Sequence, residues 1–214
     1  MPRSLGGLVT AAGAAVAAVV FAAPVAMAGV AVPTWTVGPN PAQTFSAGSG
    51  TARFPWGLGA NLPTTCESSA ARGTLATVTG TANVQVGTIA PLTWSKCTSP
   101  FGPLYPAADT STPWKLMVNS YNAGVTKGYI SGVKLTLTML TCSMTVSGRL
   151  ATTYTNSTGE LKVNDDSTYT LTVGTATPGC GGLAAVGDNW EYQALYSVTT
   201  PSGGTTRPTI VFTP

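Results

Sequence analysis

Residues 132–148, GVKLTLTMLTCSMTVSG, alternate apolar and polar side chains along their whole length. Up to residue 139 the apolar side chains fall on odd positions, namely Val133, Leu135, Leu137 and Met139. From residue 140 they fall on even positions, namely Leu140, Cys142, Met144 and Val146. A period of two is typical of a β-strand with one buried face. The stretch therefore predicts β-structure whose buried face changes at Met139-Leu140.

Two local structures would produce this change of face. An inserted bulge residue would let one long strand bend and pass from one sheet into another. A hairpin turn at residues 138–141 is the alternative, but the stretch has no Gly, Asn, Asp or Pro there to favour a tight turn. We therefore favour the bulge. The bulge places Cys142 on an inward-facing position.

The rest of the chain shows the same pattern of short alternating runs separated by Gly, Pro, Asn and Ser. We predict strands at 34–37, 44–54, 73–79, 83–89, 92–96, 114–120, 129–139, 140–147, 149–155, 159–163, 167–173, 191–199 and 209–212. Some neighbours should merge. The predicted fold is all-β, an antiparallel β-sandwich of immunoglobulin-like or jelly-roll-like type.

The N-terminus has the features of a secretory signal peptide. Arg3 precedes an uncharged run rich in Ala and Val, and Ala26-Met27-Ala28 supplies the small-x-small pattern of a cleavage site. We predict a cleaved helical signal over residues 1–28 and one secreted domain over 29–214, in which 29–63 forms an arm or an extra strand pair. An uncleaved membrane anchor is the alternative, because the run is long enough to span a bilayer.

The charge content is low. Charged residues make up 8% of the chain, against about 25% in an average protein. Of ten Lys and Arg, nine remain once Arg3 is removed, and they oppose seven Asp and Glu. A net charge of +2 that is scattered along the sequence does not predict nucleic acid or an anionic membrane as a partner.

Four cysteines on an exported chain predict two disulfides. Three pairings exist, and we favour the local ones, Cys66–Cys97 and Cys142–Cys180. A zinc site is the competing explanation, but the chain has no histidine and no close C-x-x-C pair. No metal or cofactor is predicted.

Several short motifs follow one another in a recognisable order. They are Trp94-x-x-Cys97, Pro113-Trp114, Gly128-x-Ile130-x-Gly132-Val133, Cys142-x-x-x-Val146-x-Gly148, Tyr154-x-Asn156-x-Thr158-x-x-Leu161, Cys180-Gly181-Gly182, Gly187-Asp188 and Tyr196-x-Val198. This order resembles a group of secreted two-disulfide proteins of actinobacteria, over about residues 64–211. The resemblance implies an exported all-β protein with no established activity, and it supplies no catalytic or ligand-binding residues.

The residues available for chemistry are few. Without histidine, Ser-His-Asp and Cys-His nucleophiles are excluded. The most site-like group is Asp188 and Glu191 around Trp190, an acid pair beside a ring that could stack on a sugar. Asp188 could equally belong to a turn that leads into a strand. Trp56 follows a loop signal and is a second candidate for ligand contact.

These observations predict a secreted, non-catalytic protein with a structural or adhesive role at the cell envelope or in the extracellular medium. Two alternatives remain open at this point. A carbohydrate-binding module would need exposed tryptophans in one line or cleft, and a glycoside hydrolase would need Asp188 or Glu191 beside a second carboxylate in a pocket.

Overall fold

Antiparallel strands are the main regular structure of the described chain, and strands make up 67% of it. The computed structural model describes residues 31–55, 64–164 and 168–214, so the predicted signal peptide and Trp56 lie outside the described residues. The strands are β1 (Thr34–Gly38), β2 (Ala42–Ser49), β3 (Ala52–Arg53), β4 (Thr65–Ala76), β5 (Val78–Thr79), β6 (Val84–Ser99), β7 (Gly102–Pro103), β8 (Tyr105–Ala108), β9 (Trp114–Asn122), β10 (Val125–Met139), β11 (Cys142–Thr155), β12 (Glu160–Asn164), β13 (Leu171–Ala176), β14 (Asn189–Trp190), β15 (Ala194–Thr199) and β16 (Thr209–Thr213). One 3-10 turn, Pro178–Cys180, lies between β13 and β14.

The strand pairing closes on itself. The order β11-β12-β15-β2-β4-β6-β9-β10 runs through the large sheet, and β10 also pairs with β11. Eight strands therefore form a continuous hydrogen-bonded ring. Their inward side chains share one apolar core, as expected for the predicted antiparallel β-sandwich. The predicted fold class is confirmed.

Short strands extend the ring at its margins. A three-stranded sheet has the order β16-β1-β5. The outer half of the β10–β11 hairpin pairs with β8 on one side and β13 on the other, and β14 follows β13. Strands β3 and β7 pair with the ends of β4 and β6.

The change of buried face at Met139-Leu140 is a hairpin turn. Strand β10 ends at Met139, β11 begins at Cys142, and these two residues lie opposite each other. A two-residue loop pairs odd positions on one strand with even positions on the next, so both apolar sets face the same side. The favoured bulge at this point is wrong, because Leu140 adopts a left-handed conformation with φ of 45° and makes the turn itself.

Bulges occur elsewhere, and they lie at glycines. Register shifts fall next to Gly73, Gly87 and Gly128, and around Gly132 in β10. At Gly128 a Cβ atom would lie 1.9 Å from the carbonyl oxygen of Met117. Only glycine permits so close an approach of two strands. The bulges give the long strands the bends that a closed ring needs.

Two disulfides cross-link these strands, and they have the pairing that we favoured from the sequence. Cys66 and Cys97 lie opposite each other on β4 and β6, with Cα atoms 3.9 Å apart. Cys142 at the start of β11 bonds Cys180 in the 3-10 turn, and their Cα atoms are 4.4 Å apart. In the chain-entropy model, loops of this length stabilise the fold by about 4 kcal/mol each.

The interior of the ring is packed with side chains. Two apolar cavities of about 20 Å³ each lie within it, and such a volume is close to the space of one water molecule. Neither cavity has room for a substrate. A larger ligand would not fit in either cavity.

Candidate functional site

Trp190 does not present a ring to solvent. It lies in β14 opposite Leu171 of β13, and its exposed fraction is 2%. Its size places it among the largest fully buried side chains of the core. This burial argues against the expected contact of Trp190 with a sugar ring, because stacking needs one free face.

The two carboxylates beside Trp190 make local contacts. The Asp188 carboxylate accepts a hydrogen bond of 2.7 Å from the backbone N–H of Ala185, which fits the turn considered for it from the sequence. The Glu191 carboxylate accepts a bond of 3.5 Å from the side-chain amide of Gln193. Both residues are half-buried, and the contacts seen there are those of a turn and a strand start.

A group of polar side chains is buried under the end of the sandwich. The hydroxyl groups of Tyr192 and Tyr196 lie 2.5 Å apart, and Ser69 is 2.7 Å from Tyr196. The indole N–H of Trp94 donates to the Tyr192 hydroxyl over 3.2 Å. Burial raises the pKa of both tyrosines, so each is held as a neutral phenol. These buried donors and acceptors satisfy one another's hydrogen bonds, so the group has a structural role in the core.

A surface depression lies where β12 and β15 meet the chain around β3. This groove has a volume of about 360 Å³. Its polar and exposed lining comprises Thr51, Arg53, Lys162, Asn164, Gln193 and Leu195. We refer to these six residues as the β12–β15 groove.

Backbone pairing fixes the two cations of the groove. The N–H of Arg53 donates to the carbonyl of Gln193 over 2.8 Å, and the reverse bond is 2.9 Å long. These two hydrogen bonds hold the backbone of Arg53 beside the start of β15. Lys162 lies opposite Leu195 in the β12–β15 ladder. Both cationic side chains are exposed, on neighbouring elements of one concave surface.

Hydrogen-bond donors dominate the electrostatics of the groove. None of the described residues that line it is a carboxylate, and the Glu191 carboxylate contacts the amide of Gln193. The ion pairs found among the described residues lie elsewhere, Lys96 with Glu67 at 2.8 Å and Lys134 with Asp109 at 2.9 Å. A guanidinium, an ammonium, amides and a hydroxyl together can hold an anionic group or the hydroxyl oxygens of a saccharide.

The sequence did not reveal this groove. Arg53 and Lys162 are far apart along the chain, and each is an ordinary polar residue on the outer face of an alternating strand. Only the pairing of β12 with β15, and the bridge between Arg53 and Gln193, bring them together. A correct strand order would have been needed to find the site.

The described residues contain no group of three or more His, Cys, Asp or Glu placed to hold a metal ion. Within the same ranges, no helix has the length and apolar character needed to cross a membrane. Comparison with protein-family models, with characterised proteins and with solved structures finds no match.

Proposed function

We propose that this is an exported, non-catalytic protein that adheres to a glycan at the cell envelope or in the extracellular medium through the β12–β15 groove. The observation that carries the proposal is the lining of the groove, which offers hydrogen-bond donors from Arg53 and Lys162 and, among its described residues, no carboxylate. Saccharides are rich in oxygen acceptors, which such donors can hold.

Two disulfides support the extracellular part of the proposal. Disulfides form and persist in oxidising compartments, and all four cysteines of the chain are paired. The signal-like N-terminus and the resemblance to secreted actinobacterial proteins agree with export. Low charge and abundant hydroxyl groups suit a protein that stays folded outside the cell.

The chemistry of the groove favours adhesion over catalysis. Glycoside hydrolysis uses two carboxyl groups that flank the bond, and the described residues that line the groove include none. Histidine is missing from the sequence, so a histidine base is also lacking. The buried position of Trp190 further separates this proposal from a module that binds sugars by aromatic stacking.

The proposal can be tested with the folded, oxidised protein on a glycan array and in pull-downs with envelope polysaccharide. We expect retention on at least one glycan, loss of retention in Arg53→Ala, and unchanged retention in the control Arg72→Ala. Arg72 is an exposed cation on β4 that is not part of the groove. Equal loss in both variants, or no retention on any glycan, would overturn the proposal.

A second measurement addresses catalysis. The retained glycan is incubated with the protein, and newly formed reducing ends are measured. We expect none above the level without protein. Their release by wild-type protein would contradict a non-catalytic role.

A further inference from the structure

Five cations of the mature chain gather on one outer surface of the ring. Four of them belong to β9, β10, β11 and β12, and the fifth is the arginine of the groove. We call this surface the cationic face, and its members are Lys115, Lys127, Arg149, Lys162 and Arg53. All five are exposed.

The register of the strands places these side chains on one side. Lys127 lies opposite Thr153, which in turn lies opposite Lys162. Ser131 lies opposite both Lys115 and Arg149. Directly opposed residues in a sheet point to the same face. Since Lys127 and Ser131 are separated by four positions on one strand, their rows also share a face.

The face holds more cations than carboxylates. Glu160 lies on this side opposite Thr155 and Ser197. The Glu191 carboxylate contacts Gln193, the partner of Arg53. Glu67 is two positions from Thr65, which pairs with Arg53, but it is ion-paired with Lys96. Five cations against Glu160 and Glu191 leave an excess of three positive charges among the described residues of the face, whereas nine cations and seven carboxylates nearly balance over the mature chain. Asp165 and Asp166 follow β12 in the sequence and lie outside the described residues. The charges that look scattered in the sequence are thus gathered by the fold.

One of the cations is held in place by aromatic rings. The guanidinium of Arg149 lies 5.3 Å from the ring centre of Tyr129. On Tyr129, the ring of Tyr169 stacks at a centroid distance of 4.5 Å, with an angle of 18° between the planes. The side-chain amide of Asn119 donates to the Tyr169 hydroxyl over 2.7 Å. A cation that is ordered before binding loses less conformational entropy when it meets an anion.

The spacing of the cations points to a polymer. Strands in a sheet lie about 4.8 Å apart, so Lys127 and Lys162, which are two strands apart, are separated by about 10 Å at the backbone. The same holds for Lys115 and Arg149. A small anion could not reach several of these cations at once, whereas a chain with repeated anionic groups could.

From this arrangement we propose that the ligand is an acidic glycan, a saccharide polymer bearing carboxylate or phosphate groups that runs from the β12–β15 groove across the cationic face. The inference rests on the proposed glycan adhesion and adds the charge of the ligand and its path. Nucleic acid fits less well because single-strand binding sites use aromatic rings on which bases stack. The ring of Tyr129 contacts Arg149 and Tyr169 and is buried.

The test measures affinity against salt concentration for four polymers. They are a uronic-acid polysaccharide, its carboxyl-reduced neutral counterpart, a polyol-phosphate glycan and duplex DNA. For a flexible polyanion the slope of log K against log salt is about −0.7 per contact. Four contacts then predict an affinity loss of about 50-fold between 50 and 200 mM NaCl.

Matched double variants locate the contacts. Lys115→Gln with Lys127→Gln removes two cations of the face that lie outside the groove. The slope should fall by about half, and the loss over the same salt range should shrink to about sevenfold. The control Arg72→Gln with Lys96→Gln removes the same charge from β4 and β6 and should keep the wild-type slope.

The outcomes separate the two proposals. Equal binding of the neutral and the acidic polysaccharide without a salt slope would overturn the acidic ligand and leave glycan adhesion standing. No binding to any glycan would overturn both. Equal affinity for duplex DNA, or identical slopes in the two double variants, would contradict a glycan path across this face. The carboxylate and phosphate polymers show which acidic group is preferred.

Discussion

Two glycines that lie within strands, Gly128 and Gly48, should have opposite effects on stability when each is replaced by alanine. Gly128 lies in β10, where a Cβ atom would meet the Met117 carbonyl oxygen at 1.9 Å and the Val118 Cα at 3.0 Å. Gly48 lies in β2, and a Cβ atom there would meet nothing within 4 Å. Neither glycine has a left-handed φ. The two substitutions therefore differ only in the space around the added methyl group.

The structure sets the size of the difference. Ordinary van der Waals contact begins at about 3.4 Å, so β9 and β10 must separate by about 1.5 Å at Gly128. Overpacking of this kind costs about 1–3 kcal/mol, and each ladder hydrogen bond that breaks costs about 1 kcal/mol more. We expect Gly128→Ala to lower the free energy of unfolding by about 3 kcal/mol. Gly48→Ala should raise it by about 0.5 kcal/mol, because alanine reduces the entropy of the unfolded chain.

The assay is urea unfolding of the oxidised protein, with the midpoint and the m-value fitted for each variant. A common m-value with opposite shifts of the midpoint would agree with the reasoning. A loss below about 1 kcal/mol in Gly128→Ala, or an equal loss in both variants, would show that close backbone approach does not hold the ring together.

Three further perturbations have expected outcomes. Replacing Cys142 and Cys180 with serine opens a loop whose ends are 38 residues apart. This should lower the free energy of unfolding by about 4 kcal/mol. A urea midpoint that is unchanged without reductant would contradict this. Burial raises the pKa of Tyr192 and Tyr196, so their neutral forms contribute stability below the unfolded pKa of about 10, which is lost as the pH rises above it. Urea midpoints at increasing alkaline pH should fall steeply in wild type and less steeply when both tyrosines are phenylalanine. Finally, Leu140→Asn should stabilise the protein by about 0.5 kcal/mol, because a left-handed conformation costs leucine about 1–2 kcal/mol. The Leu140 side chain is 74% exposed, so little packing is lost. A lower midpoint of thermal unfolding would count against this.

Much of the fold could be predicted from the alternation of apolar and polar residues and from the spacing of the cysteines. The apolar period of two around Met139 identified both strands of the central hairpin, and local pairing of the cysteines was correct. The turn was missed because Leu140 lacks the usual chemistry of a left-handed position. Its exposure removes the packing reason for an apolar residue there, so no local signal distinguished a turn from a bulge.

The candidate site was harder to predict from the sequence than the fold, because it depends on strand order. Trp190 was considered for ligand contact because of its acidic neighbours, but one large ring stabilises the core more when it is buried. Lys127 and Lys162 become neighbours only through Thr153 on the strand between them. Alternation tells which residues face outward, and it does not tell which outward residues from distant strands meet.

Ring closure also bears on how the protein behaves when crowded. Each of the eight ring strands has a partner on both sides over at least part of its length, so none of them is a free edge strand. The open ends of the two sheets are β14 and β8 in the large one and β16 and β5 in the small one, and none of these exceeds five residues. Strand β8 also carries Pro106, which cannot donate to an incoming strand. At high local density, such as a deposit on a surface, copies of this chain should resist edge-to-edge fibril growth and remain individually folded.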